Sequence, residues 1–247
     1  MPKEGKVVVV MPGLNVARTL ERTYEGIATE WVDEILLVDD GSSDNTRELA
    51  ERLPIRVIWH PHNVGYGGTQ KTCYLDALQR DADVVVMLHP DGQYEPSLIP
   101  KLVEPILNDE ADLVLGSRFA EPGMAIAGGM PRYKYVANRF LTTTENLVLG
   151  THLTELHTGY RAYSRRLLLG VPFLRNALDY SFDSELIMQA VYFGFRVTEV
   201  PARSRYFEEA GSMSLKPSTV YGMKTLWAAS RLMLHRSGIV RSRKFEP

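Results

Sequence analysis

Glu34-Ile35-Leu36-Leu37-Val38-Asp39-Asp40-Gly41-Ser42-Ser43-Asp44 passes without a spacer from an apolar run into acids and turn-forming residues. A short unbroken apolar run closed in this way reads as a strand buried on both faces, the habit of parallel sheets. The same transition recurs along the first half. Residues 6–11 run into Pro12-Gly13-Leu14-Asn15, residues 55–60 into Pro61-His62-Asn63-Val64-Gly65, and residues 84–89 into Pro90-Asp91-Gly92-Gln93, with a further strand at 112–115. Helix-forming segments at 15–29, 44–52, 66–81 and 96–108 alternate with them, and Asp44 is placed to cap the second, on whose outer face Arg47 and Glu51 pair. Such alternation implies right-handed βαβ crossovers and an α/β fold, a Rossmann-like layered sheet with helices on both faces. Ligands of these sheets bind beyond the carboxyl ends of the strands, so the four polar ends form one site.

The second half is less regular. It carries a Gly-rich loop at 123–131, long enough for a mobile flap, helices at 133–149, 182–193 and 218–236, and a strand at 196–201. No repeat or linker interrupts it, so residues 1–215 read as one domain and 216–247 as a C-terminal extension.

Composition excludes several classes. With 247 residues, 45% hydrophobic and 23% charged, the chain is neither disordered nor fibrous. Cys73 is the single cysteine, which rules out a disulfide framework or a multi-Cys zinc site and fits a reducing compartment. No apolar run approaches membrane-spanning length, and the opening residues are too soon broken by Pro12 for a signal peptide. The net charge of −2 hides an asymmetry: from Lys216 onward seven basic residues face Glu246 alone, giving +6 against −8 elsewhere. A basic tail suits an anionic surface or is simply solvated. On a helix over 218–236, Met223, Leu226, Trp227, Met233 and Leu234 gather on one side beside Lys224, Arg231 and His235. That pattern suits a helix lying on anionic lipid, and equally a helix packed on the domain.

Each motif has two readings. In Asp39-Asp40-Gly41-Ser42 the carboxylates either accept from a nucleobase or ribose or form a turn. Asn63-Val64-Gly65-Tyr66-Gly67-Gly68 fails the dinucleotide and P-loop spacings because Gln70 stands where glycine is required, which disfavours a dehydrogenase or triphosphatase. It still sets Asn63 and Gly65 at the strand-end site and Lys71 on the next helix, within reach of a phosphate or in solvent. His89, Asp91 and Gln93 alternate along an extended segment and so point the same way, fit to converge on a divalent cation or to close a strand. Mn²⁺ tolerates such a mixed nitrogen and oxygen set, whereas Mg²⁺ prefers oxygen. Arg118, Arg132, Arg161 and Arg205 recur beside glycine or aromatic residues and suit phosphate or surface ion pairs. Asp183 and Glu185 open a helix, as first-turn acids or as proton acceptors.

Taken in order, VVVVMPGLN, LLVDDGSSDNT, HNVGYGG, HPDGQYEP, LVLGSRF, HTGYRAYSRRLL and FDSELIMQAVYFGFRVTEVP resemble family 2 glycosyltransferases, in particular the branch similar to dolichol-phosphate mannose synthase and polyprenyl-phosphate glycosyltransferases. The resemblance spans about residues 5–215. It implies a GT-A fold and inverting transfer from a nucleotide sugar, most specifically mannose from GDP-mannose to a polyprenyl or dolichyl phosphate. The alternatives are a UDP-sugar transferase acting on a carbohydrate hydroxyl and a nucleotide-sugar-binding subunit with little catalysis. By resemblance, Pro12, Leu14, Asn15, Asp39 and Asp40 hold the nucleoside, and the Asp-x-Asp signature that binds Mn²⁺ or Mg²⁺ falls on His89, Pro90 and Asp91, with Gln93 a further ligand position. Arg118, Arg132 and Arg205 handle phosphate, and Glu155 stands where the family has an acid. For a hydroxyl acceptor, Asp183, Glu185 or Glu155 becomes the base. His89 departs from the first acid of that signature, and Leu14 and Val16 from the usual Tyr and Glu. The expected setting is the cytoplasmic face of a membrane, bound peripherally, without a transmembrane span and without nucleic acid.

Overall fold

The computed structural model describes residues 5–206 and 215–246; the side chain of Lys216, counted in the basic tail, lies outside them. One sheet is built from β1 (Val7–Gly13), β2 (Glu34–Asp39), β3 (Arg56–Trp59), β4 (Val84–Met87), β5 (Leu113–Ser117), β6 (Arg161–Ser164) and β7 (Val197–Pro201), in the order β3-β2-β1-β4-β6-β5-β7. The helices are α1 (Leu20–Glu25), α2 (Thr46–Ala50), α3 (Tyr66–Gln79), α4 (Ile99–Leu107), α5 (Met124–Ala127), α6 (Arg132–Leu149), α7 (Arg165–Gly170), α8 (Ser181–Tyr192) and α9 (Leu215–Arg236).

The apolar strands earn their burial on both faces. Val8, Val10, Leu36, Val38, Val85 and Met87 point to a cluster covered by α3, α7 and α8, while Val7, Val9, Met11, Leu37, Val84 and Val86 point to a second cluster under α1, α2 and α4. Strands β1 to β4 pair in parallel, which brings the ends of β1, β2 and β4 to one edge.

Four expectations need correction. The sheet is mixed, because β6 enters antiparallel between β4 and β5. The helix expected over 15–29 shrinks to α1 and a 3₁₀ turn at Thr29–Trp31. Asn15 takes a left-handed φ of 55°, and its side-chain oxygen accepts from the Ser43 backbone at 2.8 Å, so this stretch is committed to the neighbouring loop. Asp44 does not cap α2; Asn45 holds that position, and Asp44 accepts from the Thr46 and Ala17 backbones instead. The Gly-rich segment is anchored: it contains α5, buries Met124, Ala125 and Met130, and packs Gly128 so closely that a Cβ would lie 2.2 Å from the Ser204 carbonyl.

The C-terminal stretch also folds back. Helix α9 packs on α6 and α8, and Ala228, Ala229, Leu232 and the following Phe245 join the core cluster beneath the sheet. Its basic strip is partly consumed, since Lys224 pairs with Asp179 and His235 hydrogen-bonds Tyr192. Met223, Trp227 and Met233 remain exposed.

Candidate active site

A cleft of about 710 Å³ opens over the carboxyl ends of β1, β2 and β4. Pro12, Leu14, Asn15, Asp40, Asn63 and Gly65 line one end. Asp39 sits beneath them, buried, and accepts from the Ser42 backbone N–H at 2.9 Å and from its hydroxyl. Asp40 lines the cleft, yet it holds the loop after β3: it takes His60 Nδ1 at 2.8 Å and the amides of Val64 at 2.9 Å and Gly65 at 3.1 Å. Gly65 is required where it stands, with φ at +89° and room for a Cβ only 2.6 Å from the Leu178 carbonyl.

The middle of the cleft carries His89, Asp91 and Gln93. The Asp91 carboxylate accepts from the Gln93 amide at 2.9 Å. Burial raises its pKa, against the pull of His89, and burial lowers that of His89, against the pull of Asp91 and Asp183. A sequestered carboxylate with one backbone donor, beside an imidazole and an amide, has the donor set and the spare lone pairs that a divalent cation needs. Behind His89 lies a buried polar chain. Tyr66 hydroxyl is 3.1 Å from His89 Nε2 and donates to Asp183 at 2.7 Å; Asp183 also takes Gln70 Nε2 at 3.0 Å and Arg161 Nη1 at 3.0 Å.

The far end is cationic. Arg118 lines the wall, but its fork is filled by Glu155, with Nε at 2.9 Å, and by Tyr206 hydroxyl and the His157 carbonyl. Glu155 is 0% exposed and also accepts from the Arg118 amide and Asn138, each at 2.8 Å. Burial alone would raise the Glu155 carboxyl; Arg118 and these donors outweigh it and hold it below the usual range. His157 faces the cleft with Nδ1 2.7 Å from Tyr221 hydroxyl, and its Nε2 lies 2.8 Å from Glu145 as an ion pair off the hydrogen-bond angle. Burial opposes its protonation, but Tyr221 and Glu145 push its pKa up to about 10, so it is a cation at neutral pH.

The structure therefore brings Pro12, Leu14, Asn15, Asp40, Asn63, Gly65, His89, Asp91, Gln93, Arg118 and Asp183 to one cleft and leaves other expected residues outside its lining. Lys71 donates to the Asn176 carbonyl on the other face of α3. Glu185 pairs with Lys244 and accepts from the Ala177 amide at 2.8 Å. Arg205 pairs with Glu95 at 2.9 Å, its side chain 63% exposed, and Arg132 is exposed at the start of α6. Two residues on, Lys134 lines the cleft instead, with Nζ 5.8 Å from the Tyr206 ring centre. Sequence reading missed Tyr66, Lys134, His157 and Tyr221. The quoted motifs contained Tyr66 and His157 but gave them no role, while Lys134 and Tyr221 lie on α6 and α9, where nothing local marks which side of a helix meets the cleft.

Residues 8–170, from β1 through α7, match the profile of the family described as Glycosyl transferase family 2. Among similar proteins, the UDP-N-acetylglucosamine–dolichyl-phosphate N-acetylglucosaminyltransferase of Methanococcus voltae is 28% identical over 251 residues, covering 95% of this chain and 97% of its own. The undecaprenyl-phosphate mannosyltransferase of Micrococcus luteus is 29% identical over 206 residues, covering 79% and 82%. The solved structure of glucosyl-3-phosphoglycerate synthase from Mycobacterium tuberculosis with UDP superposes with a TM-score of 0.71 at 22% identity, over 96% of this chain and 82% of that one. The architecture is thus the GT-A fold.

Proposed function

The chain belongs to glycosyl transferase family 2, and on that premise we propose that it moves a sugar, with inversion, from a nucleoside diphosphate to a polyprenyl or dolichyl phosphate at a membrane surface. The state of the carboxylates in the cleft carries the acceptor class. A hydroxyl acceptor needs a base to take its proton. Among the described lining residues, Asp40 is held by His60 and two amides, Asp179 by Ser181 and Lys224, and Asp183 by Tyr66, Gln70 and Arg161. Asp91 is the remaining carboxylate, and it belongs to the donor diphosphate. A phosphate acceptor is already an anion and needs only to be held in line with the anomeric carbon.

The cationic end supplies that hold. Lys134 is the cation there whose ammonium has no carboxylate partner among the described residues; burial, then Arg118, lowers its pKa, which favours an incoming anion. Behind it Arg118 and the His157 imidazolium are each paired with a buried carboxylate, Glu155 and Glu145, so Lys134 carries the unbalanced charge of this end. When bound at Asp91 and His89, with Gln93 beside them, Mn²⁺ or Mg²⁺ supplies Lewis-acid neutralisation of the charge growing on the departing diphosphate.

Tyr133, Val136 and Phe140 on α6 and Val220, Met223 and Trp227 on α9 are exposed apolar residues flanking this end. Both helices also line the cleft, through Lys134, Asn138 and Leu141 and through Ser218 and Tyr221. A lipid tail leaving the cleft meets that ridge, and the ridge with Arg132 and Arg231 suits peripheral contact with an anionic bilayer. No helix among the described residues is long and apolar enough to cross a membrane.

GDP-mannose is the donor drawn from the sequence resemblance. UDP-N-acetylglucosamine is the second reading, favoured by the name of the relative that covers 95% of the chain. A thermal-shift series of GDP- and UDP-sugars with and without Mn²⁺ separates them, since a ligand at a hundred times its Kd stabilises the fold by about 2.7 kcal/mol. Stabilisation by neither class of nucleotide sugar would contradict the donor site.

A further inference from the structure

The residue that departs from the family signature is held in a specific way. His89 is boxed in: its ring lies nearly parallel to that of Tyr66, 14° apart with centroids 5.4 Å apart, and Gly159 leaves room for it, since a Cβ there would sit 2.8 Å from His89 Cδ2. Its two nitrogens are not equivalent. Tyr66 has one hydroxyl proton and gives it to Asp183, so the hydroxyl oxygen facing His89 Nε2 at 3.1 Å acts as acceptor. Nε2 must then carry the hydrogen, and the tautomer assigned by the network leaves a lone pair on Nδ1. Nδ1 has no hydrogen-bond partner among the described residues. Asp183 cannot turn away, because Gln70 and the 1% exposed Arg161 pin its other oxygen at 3.0 Å each.

A histidine that lines a cleft with a carboxylate two residues on, donates one ring N–H into a tyrosine and carboxylate chain, and has no partner on its other nitrogen among the described residues is arranged as a metal-binding histidine is. We infer that His89 Nδ1 and the Asp91 carboxylate bind the divalent cation together, that Tyr66 and Asp183 are positioning residues that fix the imidazole for it, and that this His-x-Asp pair selects Mn²⁺ over Mg²⁺. A nitrogen ligand matches Mn²⁺ better than Mg²⁺, which binds oxygen and keeps its waters. The inference rests on the nucleotide-sugar reading only in that a diphosphate completes the coordination.

The test uses the full chain with Mn²⁺ and GDP or UDP, read by electron spin-echo modulation and by Mn²⁺ titration rather than by turnover. Wild type should show imidazole ¹⁴N modulation that changes to the ¹⁵N pattern on ¹⁵N-histidine labelling. His89→Asp should still bind a cation, lose the nitrogen signal and narrow the Mn²⁺ to Mg²⁺ preference. Tyr66→Phe should keep the signal while weakening Mn²⁺ about 10–100-fold, as loss of a supporting partner does. Bound Mn²⁺ without nitrogen modulation, a Tyr66→Phe affinity equal to wild type, or an unchanged metal preference in His89→Asp would each overturn the proposal. So would failure of Mn²⁺ to bind at all. Nucleotide-sugar binding measured in EDTA is scored separately, so loss of the metal site and loss of the donor site are told apart.

Discussion

Glu155→Gln separates a structural ion pair from an acid–base group. Glu155 has no solvent exposure, and its carboxylate meets Arg118 Nε at 2.9 Å, the Arg118 amide at 2.8 Å and Asn138 at 2.8 Å, with Arg118 Nη2 as a further partner. The substitution preserves shape but removes the charge that neutralises a buried guanidinium, and it turns an NH₂ group toward donors. Breaking a buried pair from one side costs about 3–5 kcal/mol. For a chain of this size each kcal/mol moves Tm by about 2–4 °C, so the melting point should fall by about 6–20 °C. The pH dependence has a fixed sign. Glu155 is held below its ordinary pKa, so its stabilisation is present above pH 4.5 and lost as pH falls through its lower folded value. The gap between wild type and variant, followed by circular dichroism melts, should therefore close in acid. A Tm within about 2 °C of wild type at neutral pH would refute the account of a closed pair and return Glu155 to the reacting groups.

Three further outcomes follow from the cleft. Asp91→Ala should abolish turnover together with its divalent-ion dependence, and undiminished transfer by this variant in EDTA would reject the metal assignment. Lys134→Ala should raise KM for the lipid phosphate about 10–100-fold, the worth of one charge-assisted hydrogen bond, while Arg132→Ala changes it less than about twofold; equal effects from the two would remove Lys134 from the acceptor end. Phe140→Ser with Trp227→Ser should cut sedimentation with anionic liposomes by roughly tenfold or more, because a buried aromatic contributes about 1.5–3 kcal/mol. Full liposome binding by the double variant would remove the ridge from the membrane contact.

Much of the fold was legible because buried parallel strands announce themselves. Val7 to Met11 and Leu36 to Val38 need no tertiary partner to be recognised, and the polar ends of such strands must converge. Strand β6 was not legible. Two of its four residues, Arg161 and Ser164, are polar, and its strand character comes from β4 and β5, which lie far away in the chain. Three of the site residues that fell outside the cleft, Lys71, Arg132 and Glu185, share a geometric cause. Residues two apart on a helix face nearly opposite ways. Lys134 lines the cleft and Arg132 does not, Asp183 does and Glu185 does not, Thr69 does and Lys71 does not. Helical spacing shows that both members of each pair could not serve one cleft; choosing between them takes the packing. The exposed residues on α6, Tyr133, Val136 and Phe140, are spaced as a helical stripe, but a stripe in sequence reads as core until a structure shows the face uncovered.

The central claim is transfer to a lipid phosphate, and product analysis tests it most directly. The full chain is incubated with GDP-mannose or UDP-N-acetylglucosamine, Mn²⁺, and an equimolar mixture of polyprenyl phosphate, the matching polyprenol and a free sugar acceptor, and the lipids are resolved by mass spectrometry. The account predicts one new species, the polyprenyl phosphate carrying a single added sugar, with inverted anomeric configuration and with the polyprenol untouched. Glycosylation of the free sugar or the polyprenol, with polyprenyl phosphate unchanged, would contradict it.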